Sequence, residues 1–228
     1  VRKLGLVVAL ASVALFFVGI AIDHHVLRLA TKPWPVVVLA LWVWREARPS
    51  RYRRFVTLGL AASLVGDMLL ELAPVALFVP GLLAFLVAHV LYVLAYTSDT
   101  RALAPLRAVP AYAYGAALIA LLWPGLGPMA APVGIYALVI CTMLWRAAAR
   151  VGTADPISAR LALIGAVVFA LSDSMIALGA FGRHLTEAHG VDLHGSAALS
   201  FAIMTTYWLG QLGIGASVFR ASSHDRIH

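Results

Sequence analysis

Long apolar runs, broken at short intervals by arginine, proline and glycine, set the pattern of this chain. A helix that crosses a bilayer needs roughly 20 mostly apolar residues. Eight stretches reach or approach that length: residues 4–22, 29–44, 55–72, 75–96, 108–123, 129–149, 161–181 and 197–219. The second is short and passes through Lys32-Pro33-Trp34-Pro35. Proline suits a first helical turn, where its missing N–H is not needed. The fifth is also short and ends at Trp123-Pro124-Gly125. The pattern predicts an all-α fold, an integral membrane bundle of about eight transmembrane helices, with residues 1–228 as a single transmembrane domain.

Polar positions between the runs alternate in charge. Arg2 and Lys3 precede the first run, and Arg45, Arg48, Arg51, Arg53 and Arg54 follow the second. Arg101 and Arg107 follow the fourth; Arg146, Arg150 and Arg160 lie at or beyond the end of the sixth; Arg220 and Arg226 lie in the tail. The other side holds only Arg28, Lys32 and Arg183. Basic loops stay in the cytoplasm, so both termini are expected there, which requires an even number of spans.

Composition agrees. Hydrophobic residues make up 62% and charged residues 12%, whereas a soluble domain is near 45–50% apolar and about 25% charged. The formal charge of +7 would suggest nucleic acid in a soluble protein. Here the basic residues mark topology, and no nucleic-acid partner is expected. Residues 4–22 are too long for the apolar core of a signal peptide, roughly 7–15 residues, and read as the first helix. Cys141, the one cysteine, reads as a small core residue. The Ala-, Leu-, Val- and Arg-rich composition suggests a bacterial source, and so a bacterial inner membrane.

Ionisable groups inside spans are costly and face the bundle interior or a water-filled cavity. Lys32, Asp67, Glu71, His89 and Asp173 are such positions, with Tyr92, Ser172, Tyr207 and Gln211 as polar neighbours. Asp67 and Asp173 each lie thirteen residues beyond an arginine, Arg54 or Arg160. At 1.5 Å per residue that is about 20 Å into the membrane. Both helices run the same way, so both carboxylates reach one depth. The surroundings, Leu64-Val65-Gly66-Asp67 and Ala170-Leu171-Ser172-Asp173, hint at an internal duplication. Glu71 shares a helix face with Asp67 and is read either as a site group or as a solvated rim residue. Lys32 either snorkels to water or partners a carboxylate or phosphate. His89 with Tyr92, and Tyr207 with Gln211, are one-face pairs. If the fourth helix starts at Val75, His89 lies nearer the cytoplasm than the aspartates. A start delayed by Pro80-Gly81 would move it toward the midplane. His184, His189 and His194, with Glu187 and Asp192, match no zinc spacing and read as a solvated loop. No metal site and no cofactor are expected.

The run Leu64-Val65-Gly66-Asp67-Met68-Leu69-Leu70, followed by Pro80-Gly81 and then Ala88-His89-Val90-Leu91-Tyr92, resembles the YhhN family. So do Lys32-Pro33, Pro132-Val133 with Tyr136, residues 169–174, and Thr206-Tyr207 with Gln211. The resemblance covers nearly the whole chain, in order. It implies an eight-span membrane protein and a lysoplasmalogenase-like hydrolase. Such an enzyme cleaves the vinyl ether bond of a lysoplasmalogen. The products are a fatty aldehyde and glycerophosphoethanolamine or glycerophosphocholine. The expected partners are this lysophospholipid and the surrounding membrane lipids; oligomeric state stays open.

Vinyl ethers resist nucleophiles and yield to acid. Protonation of the second alkenyl carbon gives an oxocarbenium ion, which water attacks. Two buried carboxyls resist ionising together, and glycosidases meet a related cation with paired carboxylates. One of Asp67 and Asp173 is therefore expected to act as general acid, the other as stabilising carboxylate. His89 would position or deprotonate water. Tyr92, Tyr207 and Gln211 would orient substrate, and Lys32 would meet the phosphate. A metal-assisted version, with Asp67, Asp173 and His89 as ligands, ranks lower because vinyl ether cleavage needs a proton. The rival class is a proton-coupled transporter or lipid-binding membrane protein using the same intramembrane carboxylates.

Overall fold

A computed structural model describes residues 2–189 and 196–221. Among them there are helices and no strands. Helix α1 (Arg2–Ala21) is followed by α2 (His25–Thr31) and α3 (Trp34–Glu46), then α4 (Arg51–Leu72) and α5 (Phe78–Asp99). Helices α6 (Ala108–Leu126), α7 (Ala130–Ala149), α8 (Pro156–Phe181), the short α9 (Arg183–His189) and α10 (Ala197–Ser217) complete the order.

Among the described residues, seven helical stretches are long and apolar enough to cross a membrane. One of them, Pro105–Ala149, has 45 residues, about 68 Å at 1.5 Å per residue, twice what a bilayer core requires. It holds α6 and α7, joined by a tight turn at Gly127–Met129. Tyr112 on α6 meets Thr142 on α7 through a 2.9 Å hydroxyl contact, so the two helices fold back antiparallel. The protein is thus an integral membrane bundle of eight crossings. Leucine and valine side chains such as Leu6, Leu10, Leu83, Val87 and Leu138 stay exposed around it, as lipid-facing positions must.

Helix starts follow ordinary capping. Ser50 accepts from Arg53 N at 3.0 Å. Asp155 accepts from Ile157 N and Ser158 N, with Pro156 in the first turn. Helices in lipid pack through small residues. A Cβ placed on Gly165 would lie 2.6 Å from Ile214 N and 2.7 Å from Gly210 O, so α8 and α10 run in backbone contact. Gly59, eight residues before Asp67 as Gly165 is before Asp173, likewise packs on the ring of Tyr92 in the next long helix.

Three expectations change. The second span begins earlier than residue 29: α2 starts at His25, and the span is broken at Lys32–Pro33. Proline denies its N–H to the helix and collides with the turn before it; Pro35 then sits in the first turn of α3. The fourth span starts at Phe78 rather than Val75, with Pro80-Gly81 in its first turn. His184 lies in α9, not in a loop, and its Nε2 bonds the Leu121 carbonyl at 3.0 Å. Asp192 and His194 fall outside the described residues.

Candidate functional site

The broken second span brings Lys32 to α4. Lys32 Nζ lies 3.0 Å from Glu71 Oε2 and 3.2 Å from Asp67 Oδ1. The two carboxylates are one turn apart on α4, so one ammonium bridges both. Lys32 is only 6% exposed, which rules out snorkelling. Arg28 donates from Nε to Glu71 Oε1 at 3.0 Å and from Nη1 to Asp23 Oδ1 at 3.1 Å. Glu71 is therefore a member of an ion network rather than a solvated rim residue. Two cations and the two carboxylates on α4 balance one another within the bundle.

The second carboxylate has different company. Asp173 Oδ2 accepts from the Tyr136 hydroxyl at 2.7 Å and lies 3.2 Å from His89 Nε2. His89 is fully buried; its Nδ1 donates to the Phe85 carbonyl at 2.6 Å. The imidazole stacks on Phe169 at 4.8 Å between centroids and meets the Tyr136 ring edge-on at 5.4 Å. His89, on a helix that starts at Phe78, thus lies level with Asp173. The depth conflict in the sequence reading disappears with it.

Tyr207 and Gln211 on α10 connect these groups. Gln211 Oε1 accepts from the Tyr92 hydroxyl at 2.6 Å. The Tyr207 hydroxyl lies within electrostatic range of both Asp67 and Asp173. Asp67 Oδ2, Ser63 Oγ, Tyr207 Oη and Gln211 Nε2 are buried with no hydrogen-bond partner. Such atoms are rare in folded proteins. A group of them beside two carboxylates marks a place built for a polar ligand. Ser172 does not join: its Oγ donates to the Ile203 carbonyl at 3.0 Å and ties α8 to α10.

A narrow apolar cavity of about 60 Å³ lies against Asp173, between α5, α6, α7 and α8. Phe85, Leu118, Leu122, Ile140, Ile176 and Phe181 line it, and Asp173 is the charged residue in its wall. Tyr136, Tyr114, Ser174 and Cys141 also reach it. Tyr114 and Ser174 hydroxyls meet at 2.5 Å. Asp67, Asp173 and His89 do not converge as ligands: among the described residues no three His, Cys, Asp or Glu side chains gather as a metal site would need.

Two site residues escaped the sequence reading. Tyr136 stood in a family motif but was not recognised as the partner of Asp173. Arg28 was counted as a loop charge. Hydropathy finds the depth of a polar residue; it cannot find which neighbour it meets.

Fold and interior together define a polytopic membrane protein with a charged core beside an apolar cavity. The chain belongs to the YhhN family, whose profile matches residues 27–218. It is 35% identical over 197 residues to "Lysoplasmalogenase TMEM86B" of Homo sapiens, covering 82% of this chain and 73% of that protein. It is 33% identical over 209 residues to "Lysoplasmalogenase" of Mycobacterium tuberculosis, covering 86% and 72%. "Lysoplasmalogenase TMEM86A" of Homo sapiens is 35% identical over 175 residues, covering 75% and 67%. No solved structure gives a significant match.

Proposed function

We propose that this protein hydrolyses the vinyl ether bond of lysoplasmalogens, as the names of its relatives suggest for them. The observation that carries the reading is the apolar cavity with one carboxylate in its wall. The reactive end of an alkenyl chain that enters this apolar space from the bilayer faces an acid.

The chemistry runs as acid-catalysed hydration. A carboxyl proton passes to the second alkenyl carbon, and the π pair forms the new C–H bond. The first carbon becomes an oxocarbenium ion, stabilised by the carboxylate left behind and by Asp67. A water oxygen bonds to that carbon, and its proton returns to the carboxylate. The hemiacetal then breaks at the glycerol oxygen, which takes a proton, and releases the aldehyde. One water is consumed, and glycerophosphoethanolamine or glycerophosphocholine is left.

Binding falls to the polar groups around this centre. Tyr207 and Gln211, with unpartnered buried atoms, orient the glycerol. Tyr92 holds Gln211 in place. Lys32 is enclosed between Asp67 and Glu71; Arg28 also pairs with Glu71 and Asp23 but is more open, its side chain 23% exposed, so it is the cation that the phosphate meets. The protein works as one transmembrane domain in a bacterial inner membrane. An even number of spans places its termini on one side, and the arginine-rich loops make that side cytoplasmic.

Aldehyde release from lysoplasmalogen by the purified protein in detergent tests the reading. Turnover is expected. A folded protein that releases no aldehyde but drives uptake of substrate into liposomes would replace hydrolysis with proton-coupled transport.

A further inference from the structure

The cavity beside Asp173 is too narrow for a lipid tail. Its volume of about 60 Å³ is far below the roughly 300–1,000 Å³ of ligand pockets, so a wall must part to admit one. Its lining comes from residues 78–85 of α5, 114–122 of α6, 133–141 of α7 and 173–181 of α8. All lie in the halves nearest the end where α4 turns into α5 and α6 into α7, opposite the arginine-rich loops. Asp173 stands eight residues below Phe181, about 12 Å at 1.5 Å per residue. The space therefore runs from the carboxylate to that rim. Arg28 is at the same end: it pairs with Glu71, and the neighbouring Leu70 lines the cavity.

Three sides of the cavity are tied. Gly115 of α6 packs on Cys141 of α7. The ring of Tyr136 on α7 meets His89 on α5. The Tyr114 hydroxyl of α6 meets that of Ser174 on α8. The fourth side, between α5 and α8, is closed by rings. Phe85 and His89 lie on Phe169 at the floor. Phe78 meets Phe181 edge-on at the rim, with centroids 5.9 Å apart. Two phenylalanine rings have only this packing to hold them together. Phe181 is the fixed member: a Cβ on Gly125 would collide with its carbonyl, so the end of α8 is pinned to α6. Phe78 is the free member. Helix α5 is fixed to α4 from Gly81 onward, where a Cβ would lie 2.7 Å from Leu70. Phe78 precedes that point and follows a turn in which Val75 is 94% exposed.

We infer that Phe78 and Phe181 are the gate through which a single lipid chain reaches Asp173, and that the protein draws its lysolipid from the leaflet on the Arg28 side, away from the arginine-rich loops. Phe78 swings from Phe181, the chain passes between α5 and α8, and the head group stays at the rim beside Arg28. This rests on the vinyl ether reading for the identity of the lipid; the gate and its side belong to the protein alone.

A double variant, Phe78→Cys with Phe181→Cys, treated with a membrane-impermeant, reducible bifunctional thiol reagent, tests both parts. The parent, whose Cys141 is buried, is the reagent control. In detergent, binding of a saturated alkyl-ether lysophospholipid, which has no vinyl ether to cleave, should weaken at least tenfold on cross-linking and recover on reduction. Unchanged binding in the cross-linked protein would overturn the gate. In vesicles that hold the variant in both orientations, reagent and lysoplasmalogen are then added outside only. The reagent reaches only molecules whose Phe78 end faces outward, so aldehyde release should stop and return with reductant. Release that persists would come from the inward-facing molecules and would overturn the assigned leaflet. A parent that binds the alkyl-ether lipid through the gate but releases no aldehyde would reject the vinyl ether reading and keep the gate.

Discussion

Two buried charged clusters sit in this bundle, toward opposite ends of the helices, and they are built to different rules. Near the ends of α5 and α7, Arg150 is fully enclosed. It donates to Asp99 Oδ2 from Nε at 3.0 Å and from Nη2 at 2.7 Å. It also reaches the Ser158 hydroxyl at 2.7 Å and the Ser158 carbonyl at 3.3 Å. Ser158 passes the network to the Ser217 carbonyl, and Tyr52 meets the Ser217 hydroxyl at 2.7 Å. The ring of Tyr52 lies under the guanidinium at 4.5 Å. Every polar atom named in this network has a partner; beside it, the Tyr96 hydroxyl and Arg146 Nε do not. Around Asp67 and Asp173, by contrast, several buried polar atoms have none, and a cavity adjoins. A saturated network locks helices together. An unsaturated one beside open space is poised to bind. Buried charge alone therefore does not mark the site; the state of its partners does.

The largest expected effect separates the clusters by activity. Asp173→Asn should lower kcat for aldehyde release by roughly 10²–10⁴-fold, while thermal unfolding in detergent stays near the parent. A variant with parental kcat would place the acid elsewhere. The mirror experiment is Arg150→Met. Removing one partner of a buried pair strands the other and costs about 3–5 kcal/mol, so a marked fall in thermal stability is expected, with the pH optimum unchanged. The double variant Arg150→Met with Asp99→Leu should recover most of that loss, because an apolar pair replaces a buried ion pair at little net cost. Failure of the double variant to recover would mean that Arg150 does more than lock helices.

The sequence shows depth well and direction poorly. Apolar periodicity gave all eight crossings, and the cost of burying charge pointed to Lys32, Asp67, His89 and Asp173, each of which is buried. Spacing placed Asp67 and Glu71 on one face, and Lys32 does bridge them. Partnership across helices was not legible, because it depends on helix rotation and on where breaks fall. The break at Lys32–Pro33 and the late start of α5 set both partnerships of the site. The positive-inside pattern also misread part of its own data. Arg146 and Arg150 count as loop charges by position but are buried, and Arg146 bonds the Ala102 and Thr100 carbonyls. Arg107 bonds the Ala148 and Val151 carbonyls at the end of α7, and Arg53 those of Trp44 and Ala47 at the end of α3. Arginine at such places serves the open carbonyls of helix ends as well as topology.

A smaller effect tests whether the site cluster is a lock as well. Lys32→Met leaves Asp67 and Glu71 facing each other with only Arg28 beside Glu71. Hydrogen bonds to charged groups contribute about 1.5–3 kcal/mol, so turnover should fall by about tenfold or more while most molecules still fold. Stability lost as in Arg150→Met, with turnover per folded molecule intact, would make the two clusters equivalent and erase the distinction between them.

The smallest effect concerns the cavity that only one cluster has. A Cβ on Gly115 would collide with Cys141 Sγ, and both residues line the cavity. Gly115→Ala therefore pushes the thiol toward the space that the alkenyl chain occupies. Overpacking a well-filled interior costs about 1–3 kcal/mol, but here the displaced atom has a void to enter, so the fold should tolerate it. The loss should appear instead in KM, and it should grow with chain length when a series of lysoplasmalogens is compared. Kinetics unchanged across that series would show that the chain leaves the cavity before it reaches α6, and that the wall near Asp173 alone holds the substrate.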